Sequence, residues 1–275
     1  MPRTRYVKTA EQVEALLEAQ ARPAFLDSRS LSATFLTDPA VVAELLPPPL
    51  EPAAEPRVSV GVYVTGRSNC VGPFNGSSVN LACRYRGEDG LYCLTMPMST
   101  DTAITFGREL YAEPKKAAEI RLEREDRRVR GTVTRHGVTY IELGGYLDED
   151  LQEVDLTTSS KHYYFRYFPA ADGSGLAADP ELICVSHTGR VHRLARCEPT
   201  VTFRESRHDP VIDVPVVSVE GGAFSEGETH TRAKVAATVP AADFLPYAFA
   251  KMDDLTAWAG AEPGGTVQPR RAGGG

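Results

Sequence analysis

Long apolar runs are missing from these 275 residues, and none approaches the roughly eighteen needed to cross a bilayer as a helix. Positive charge is in deficit. Thirty Lys and Arg stand against 37 Asp and Glu, a formal net charge of -7, and no basic stripe with interleaved aromatics appears, so no nucleic acid partner is expected. Cysteine is sparse and odd in number. Cys70, Cys83, Cys93, Cys184 and Cys197 form no close pair and no metal spacing, which reads as reduced structural thiols in a cytoplasmic protein, with no metal site. The opening stretch, Met1 to Tyr6, lacks the apolar core of a secretory signal. No phosphate-cradling glycine loop, dinucleotide fingerprint or Ser-His-Asp arrangement can be assigned, so no cofactor is expected. No Pro/Gly/Ser-rich linker divides the middle. One domain over residues 1–260 is therefore expected, with a Gly/Pro/Arg-rich tail at 261–275 that reads as disordered.

What is present is rich in strand patterns. Thr9 and Gln12 suit a capping box opening an amphipathic helix to about Ala21, with Val13, Leu16 and Leu17 on one side. Asp38 before Pro39 starts a second helix, which must stop before Pro47. Runs of strand composition follow at 58–64, 79–85, 91–96, 120–122, 129–133 and 138–143. Others lie at 162–168, 182–185, 201–203, 211–217 and 234–239. Arg135-His136-Gly137 suits a hairpin connection. A last helix is expected from Ala241 to Trp258, ending at Gly260. Many strands between terminal helices imply an α+β, mainly antiparallel fold.

The densest chemical signal is Phe106 to Lys116, FGRELYAEPKK, where two adjacent lysines follow a proline between a helical pattern and a strand-like run. A lysine is no nucleophile while protonated, and its ordinary pKa is about 10.4. Two ammonium heads about 6 Å apart, at an effective dielectric of about 20, repel by roughly 2.8 kcal/mol, worth about two pKa units. Burial adds to this. Set against it is the ordinary fate of a Lys-Lys pair, a solvated surface.

The segment FGRELYAEPKK resembles the signature of the acetoacetate decarboxylase family, in which Gly-Arg-Glu leads to Pro-Lys-Lys. Acetoacetate decarboxylase is itself the standard example of a lysine activated by a cationic neighbour. Leu46 to Glu51 resembles the family's Pro-x-Pro-Leu-Glu. Pro169 to Ser174 with the strand at 181–184 resembles its second half, so the likeness spans roughly residues 20 to 255. The resemblance implies a barrel-like sheet around a buried pocket, a homo-oligomer, Lys115 as the iminium-forming residue and Lys116 as its electrostatic partner. Phe74, Asn75, Gly76 and Met96 are further expected to bind substrate; Asn75, Ser77 and Asn80 offer hydrogen bonds to substrate oxygens, while Asn75-Gly76 equally suits a turn.

The departures from the family pattern carry as much information. Two expected glutamates fall on Gly61 and Gly76, which would open space and remove negative charge. The expected arginine falls on Ser28, with Arg29 beside it. The residue before the proline, often aromatic in the family, is Glu113. Two positions from Lys115 in an extended segment, it can enter the same pocket as a general acid/base or remain a surface carboxylate. The expected function is a cofactor-independent lyase forming a lysine Schiff base with a small oxo acid, directed to aldol, dehydration or cyclisation chemistry. Decarboxylation of a β-keto acid, or a non-catalytic binder on the same scaffold, are the alternatives. On 162–167, His162, Tyr164 and Arg166 would share a face, with packing the ordinary role. His187 and His192 are badly spaced for a metal.

Overall fold

The computed structural model describes residues 4–258. The chain runs through α1 (Ala10–Ala21), β1 (Ala24–Leu36), α2 (Pro39–Leu45), β2 (Glu51–Pro52), β3 (Arg57–Ser68), β4 (Phe74–Tyr85), β5 (Glu88–Met98) and α3 (Asp101–Tyr111). It continues through β6 (Lys115–Ala117), β7 (Glu119–Glu125), β8 (Arg128–Arg135), β9 (Val138–Leu147), β10 (Gln152–Arg166), β11 (Glu181–Phe203), β12 (Ser218–Thr238) and α4 (Ala241–Phe244). Short 3-10 turns follow α4 at Leu245–Lys251 and Leu255–Trp258.

The strands follow the order β10-β5-β4-β3-β1-β12-β11, and β11 pairs again with β10, so this part of the sheet closes on itself. All these pairings are antiparallel except β5 with β10. The long β11 makes the closure possible. Its first part, Glu181 to Leu194, pairs with β10, and its last part, Cys197 to Phe203, pairs with β9. From there β9, β8 and β7 extend the sheet and fold back over β3 and β1. The α+β, mainly antiparallel, barrel-like reading therefore holds.

Alternation along β3 divides the interior in two. Val58, Val60 and Val62 are fully buried and pack with Leu31, Val133, Ile141 and Leu143 in the main core. The intervening Tyr63 and Thr65 face a cavity inside the closed barrel. Gly131 on β8 lets that core close: a Cβ there would lie 2.8 Å from the Cβ of Val62. The β8–β9 connection is the expected hairpin, with His136 at φ 49° and Gly137 at φ 78°. Two successive positive φ angles give a turn whose twist matches the strands it joins.

Several sequence-based expectations change here. The capping box of α1 is present, Thr9 and Gln12 exchanging bonds of 3.0 and 3.2 Å, but Val13, Leu16 and Leu17 are all left exposed among the described residues. The strand expected at 211–217 is a 3-10 turn at Val211–Asp213 followed by unpaired chain, because Pro210 and Pro215 remove ladder donors. The long final helix stops after four residues, where Pro246 lacks the N–H that would continue it. Its expected end at Gly260 and the tail 261–275 lie outside the described residues. β1 was not expected at all, and β11 and β12 run far beyond the short patterns that marked them. Among the described residues no helix is long and apolar enough to cross a membrane.

Candidate active site

The FGRELYAEPKK segment folds as a helix, a sharp turn and a short strand. Thr100 caps α3 by accepting from the Ala103 N–H. At the other end Ala112 adopts a left-handed conformation, φ 63°, and the N–H groups of Ala112 and Glu113 both return to the Gly107 carbonyl. The chain then enters β6, which lies parallel to β5 with Lys115 opposite Met96. Arg108 secures this turn, Nη1 donating to the carbonyls of Lys115 (3.0 Å) and Lys251 (3.1 Å). Every residue from Tyr111 to Lys116 is buried.

Lys115 and Glu113 enter one cavity of about 330 Å³. Lys115 is 7% exposed and Glu113 5%. Lys115 Nζ lies 2.7 Å from Glu113 Oε2 and donates to the Ala103 carbonyl at 3.2 Å. The Lys-Glu contact is an ion pair by distance without hydrogen-bond geometry, so Oε2 accepts no hydrogen bond. Gly107 makes room for both heads: a Cβ there would lie 2.1 Å from Glu113 Oε2 and 2.4 Å from Lys115 Nζ. The glycine of the motif is thus explained by space.

Lys116 points to the opposite side of β6 and lines a separate, mostly apolar cavity of about 510 Å³. Its Nζ donates to the His208 carbonyl at 2.8 Å and to Asp209 Oδ1 at 3.2 Å, and lies 3.7 Å from Asp253. Arg135 bonds the same two carboxylates. Burial lowers the Lys116 pKa and Asp209 opposes that shift. The expected role of Lys116 as a bare positive neighbour is therefore corrected: its charge is offset by Asp209 and Asp253, while Lys115 faces Glu113.

Of the other expected positions, Ser28, Phe74 and Met96 line the Lys115 cavity. Arg29 does not; strand alternation turns it outward, where it is exposed. The same alternation sends Asn75 to the far face, where Nδ2 donates to the Ile120 carbonyl at 2.8 Å. Gly76 faces the cavity side, yet the space is not open. A Cβ there would lie 2.4 Å from Tyr63 Cε2, so the Tyr63 ring fills the position where the family pattern places a glutamate.

Sequence reasoning missed Tyr63 and underrated the histidines. His162 and His187 both line the cavity, with ring centroids 4.8 Å apart. Burial pulls His162 down to about 3, with His187 adding to the shift, and pulls His187 down to about 4, with Lys115 adding. His187 Nδ1 shares a hydrogen bond of 3.0 Å with Thr231 Oγ1. His162 Nδ1 and the Tyr164 hydroxyl are buried without a partner. The signal was the alternation Thr158, Ser160, His162, Tyr164, one face of β10. Arg166, at its end, instead pairs with Glu181. A third lysine, Lys251, donates to the carbonyls of Ala112 and, at 2.6 Å, Phe165; burial first and then Arg108 pull its pKa down to about 7.

The fold and site together define a closed β-barrel with a lysine and a carboxylate buried side by side within it. The comparisons place it more narrowly. Residues 3–238 match the family model described as Acetoacetate decarboxylase (ADC), and the chain belongs to the acetoacetate decarboxylase family. It is 32% identical over 154 residues to an acetoacetate decarboxylase of Chromobacterium violaceum, a match covering 54% of this chain and 62% of that protein. The matched region thus spans less than two thirds of that relative. Among solved structures, acetoacetate decarboxylase from Legionella pneumophila superposes with a TM-score of 0.72 at 18% identity, covering 86% of this chain and 93% of that one. The enduracididine biosynthesis enzyme MppR, complexed with the condensation product of pyruvate and imidazole 4-carboxaldehyde, superposes with a TM-score of 0.63 at 15% identity, covering 81% and 90%. At such identities the structural likeness establishes the fold.

Proposed function

We propose that this chain is a cofactor-independent lyase that forms a Schiff base between Lys115 and a small oxo acid, and directs the resulting enamine to aldol-type or dehydration chemistry. The observation that carries the reading is the buried Lys115–Glu113 pair, 2.7 Å apart inside the barrel. Passing its proton to Glu113 frees the Lys115 amine to attack the substrate carbonyl carbon. The protonated Glu113 then returns a proton to the carbinolamine oxygen, which leaves as water, and the iminium forms. The same carboxylate, ionised again, takes a proton from the carbon next to the iminium to give the enamine. The glutamates that the family pattern places at positions 61 and 76 are glycines here, and Arg29 is turned away from the cavity, so these groups of the decarboxylase pattern do not line it. That MppR has been solved with a pyruvate condensation product supports condensation on this fold.

Borohydride reduction in the presence of pyruvate, followed by peptide mass analysis, is expected to fix the adduct on Lys115. No adduct with any of several oxo acids would favour a non-catalytic binder. Carbon dioxide release from acetoacetate alone, fast and without an aldehyde, would favour decarboxylation, the activity carried in the names of the curated relatives. We also take the chain to act as a homo-oligomer, a reading supported by the uncovered Val13, Leu16 and Leu17 on α1. Light scattering showing a monomer at micromolar concentration would remove it.

A further inference from the structure

We infer that the part of the cavity beyond Lys115 is an acceptor subsite for an uncharged, hydroxyl-bearing aldehyde. The inference rests on the Schiff-base reading and adds the second substrate. Of the eighteen residues lining the cavity, Glu113 and Lys115 are the only Asp, Glu, Lys or Arg. Both histidines are held neutral by burial. The donor already sets its own carboxylate against the single cation of the lining, the Lys115 iminium, so a second anionic substrate would find no lysine or arginine left among the lining residues to balance it. Burying a carboxylate without such a partner is strongly unfavourable.

The same wall is rich in neutral hydroxyls: seven of the eighteen lining residues are serine or threonine. They are contributed by strands around the barrel. Ser28 and Ser30 stand on β1, Thr158 and Ser160 on β10, and Thr229 on β12. Two of them flank Gly189 on β11, which pairs with Thr158 on one side and Thr229 on the other. A Cβ at Gly189 would lie 2.5 Å from Thr158 Oγ1 and 3.7 Å from Thr229 Oγ1. The bare glycine leaves a floor over which two hydroxyls lean. Lys115 is buried and Thr158 is exposed, so the lining they share reaches from the buried amine to the protein surface.

An apolar aldehyde bound against this wall would leave hydroxyls without hydrogen-bond partners, whereas a hydroxylated one pairs with them. The reaction balances without a further reactant. The enamine carbon forms a carbon–carbon bond to the aldehyde carbon as the iminium is restored, and the aldehyde oxygen takes the proton that Glu113 removed in forming the enamine. Water then hydrolyses the iminium, releasing a hydroxylated oxo acid and regenerating the Lys115 amine.

The test uses pyruvate as donor with glyceraldehyde, propanal or glyoxylate as acceptor. Glyceraldehyde is expected to exceed propanal in kcat/KM by on the order of tenfold or more, and glyoxylate to be the poorest. Ser30→Ala and Thr229→Val are each expected to lower kcat/KM for glyceraldehyde about fivefold and to raise that for propanal, since the hydroxyl that propanal leaves unpaired is gone. Absence of a Lys115 adduct with pyruvate overturns the Schiff-base reading and this inference with it. An adduct combined with propanal or glyoxylate equal to or better than glyceraldehyde, or with no condensation at all, overturns this inference alone. Variants that lower both aldehydes equally assign the hydroxyls to structure and overturn it too.

Discussion

Gly107 and Glu113 carry the two sharpest predictions at the scale of single residues. Adding one methyl group at Gly107 places carbon within bonding range of the Lys115 and Glu113 heads, so one or both must move. The backbone there is helical and tolerates alanine, so the fold should survive. Misplacing a reacting group by about 1 Å costs on the order of a hundredfold in rate. Gly107→Ala is expected to slow pyruvate trapping on Lys115 by about that factor while the far-ultraviolet circular dichroism matches wild type; trapping at the wild-type rate would show that the space is dispensable. Glu113→Gln keeps the shape and removes the base. Since a positioned acid or base contributes roughly 10² to 10⁴ in rate, turnover should fall by at least about a hundredfold, and full activity in the variant would remove Glu113 from the mechanism. Both residues stood out in the sequence, Gly107 inside the motif and Glu113 as its departure. What the sequence hid was Tyr63. The glycine at 76 reads as an empty place, and only the cross-strand pairing of Tyr63 with Gly76 shows what fills it.

At the scale of elements, β6 is three residues long and cannot hold itself in place by its ladder alone. It is tied on one side by Arg108, whose Nη1 binds the Lys115 carbonyl, and on the other by Lys116 in the cluster with Asp209, Asp253 and Arg135. Asp209 is the centre of that cluster; its side chain is 1% exposed and contacts both cations. Removing one partner of a buried ion pair leaves charge uncompensated, typically at about 3–5 kcal/mol. Asp209→Ala is therefore expected to lower stability by about 3 kcal/mol in urea titration. A loss under 1 kcal/mol would mean that Asp253 alone suffices. The elements themselves were unevenly legible. Strands with alternating Val, Ile and Leu, such as β3 and β8, were visible because one face is core. β1 was not, because the face that carries its cavity residues Ser28 and Ser30 continues with the exposed Ser32, and alternate serines resemble a loop. The functional wall is polar for the reason that made it invisible.

For the whole molecule, closing the barrel buries two histidines against each other, and for His162 burial and the neighbouring His187 outweigh the opposing pull of Glu113. Closure depends on β11 pairing with β10, β12 and β9, a long-range arrangement that no local pattern encodes, so the barrel was reached through resemblance and not through periodicity. Its consequence is a definite pH dependence. Unfolded, His162 and His187 bind protons near pH 6.5; folded, they do so only near 3 and 4. Between pH 6.5 and about 4 the unfolded chain therefore holds more protons than the folded one. Stability rises with pH across that window and is lost as pH falls, each histidine contributing up to about 1.4 kcal/mol per pH unit. His187→Gln retains a polar group able to reach Thr231 and removes one of the two titrations. Urea unfolding at pH 7 should leave the variant close to wild type, and the gap should shift in its favour progressively toward pH 4.5. Parallel stability profiles for the two proteins would mean that His187 charges freely inside the folded barrel, and the cavity would then hold an anionic acceptor as readily as a neutral one.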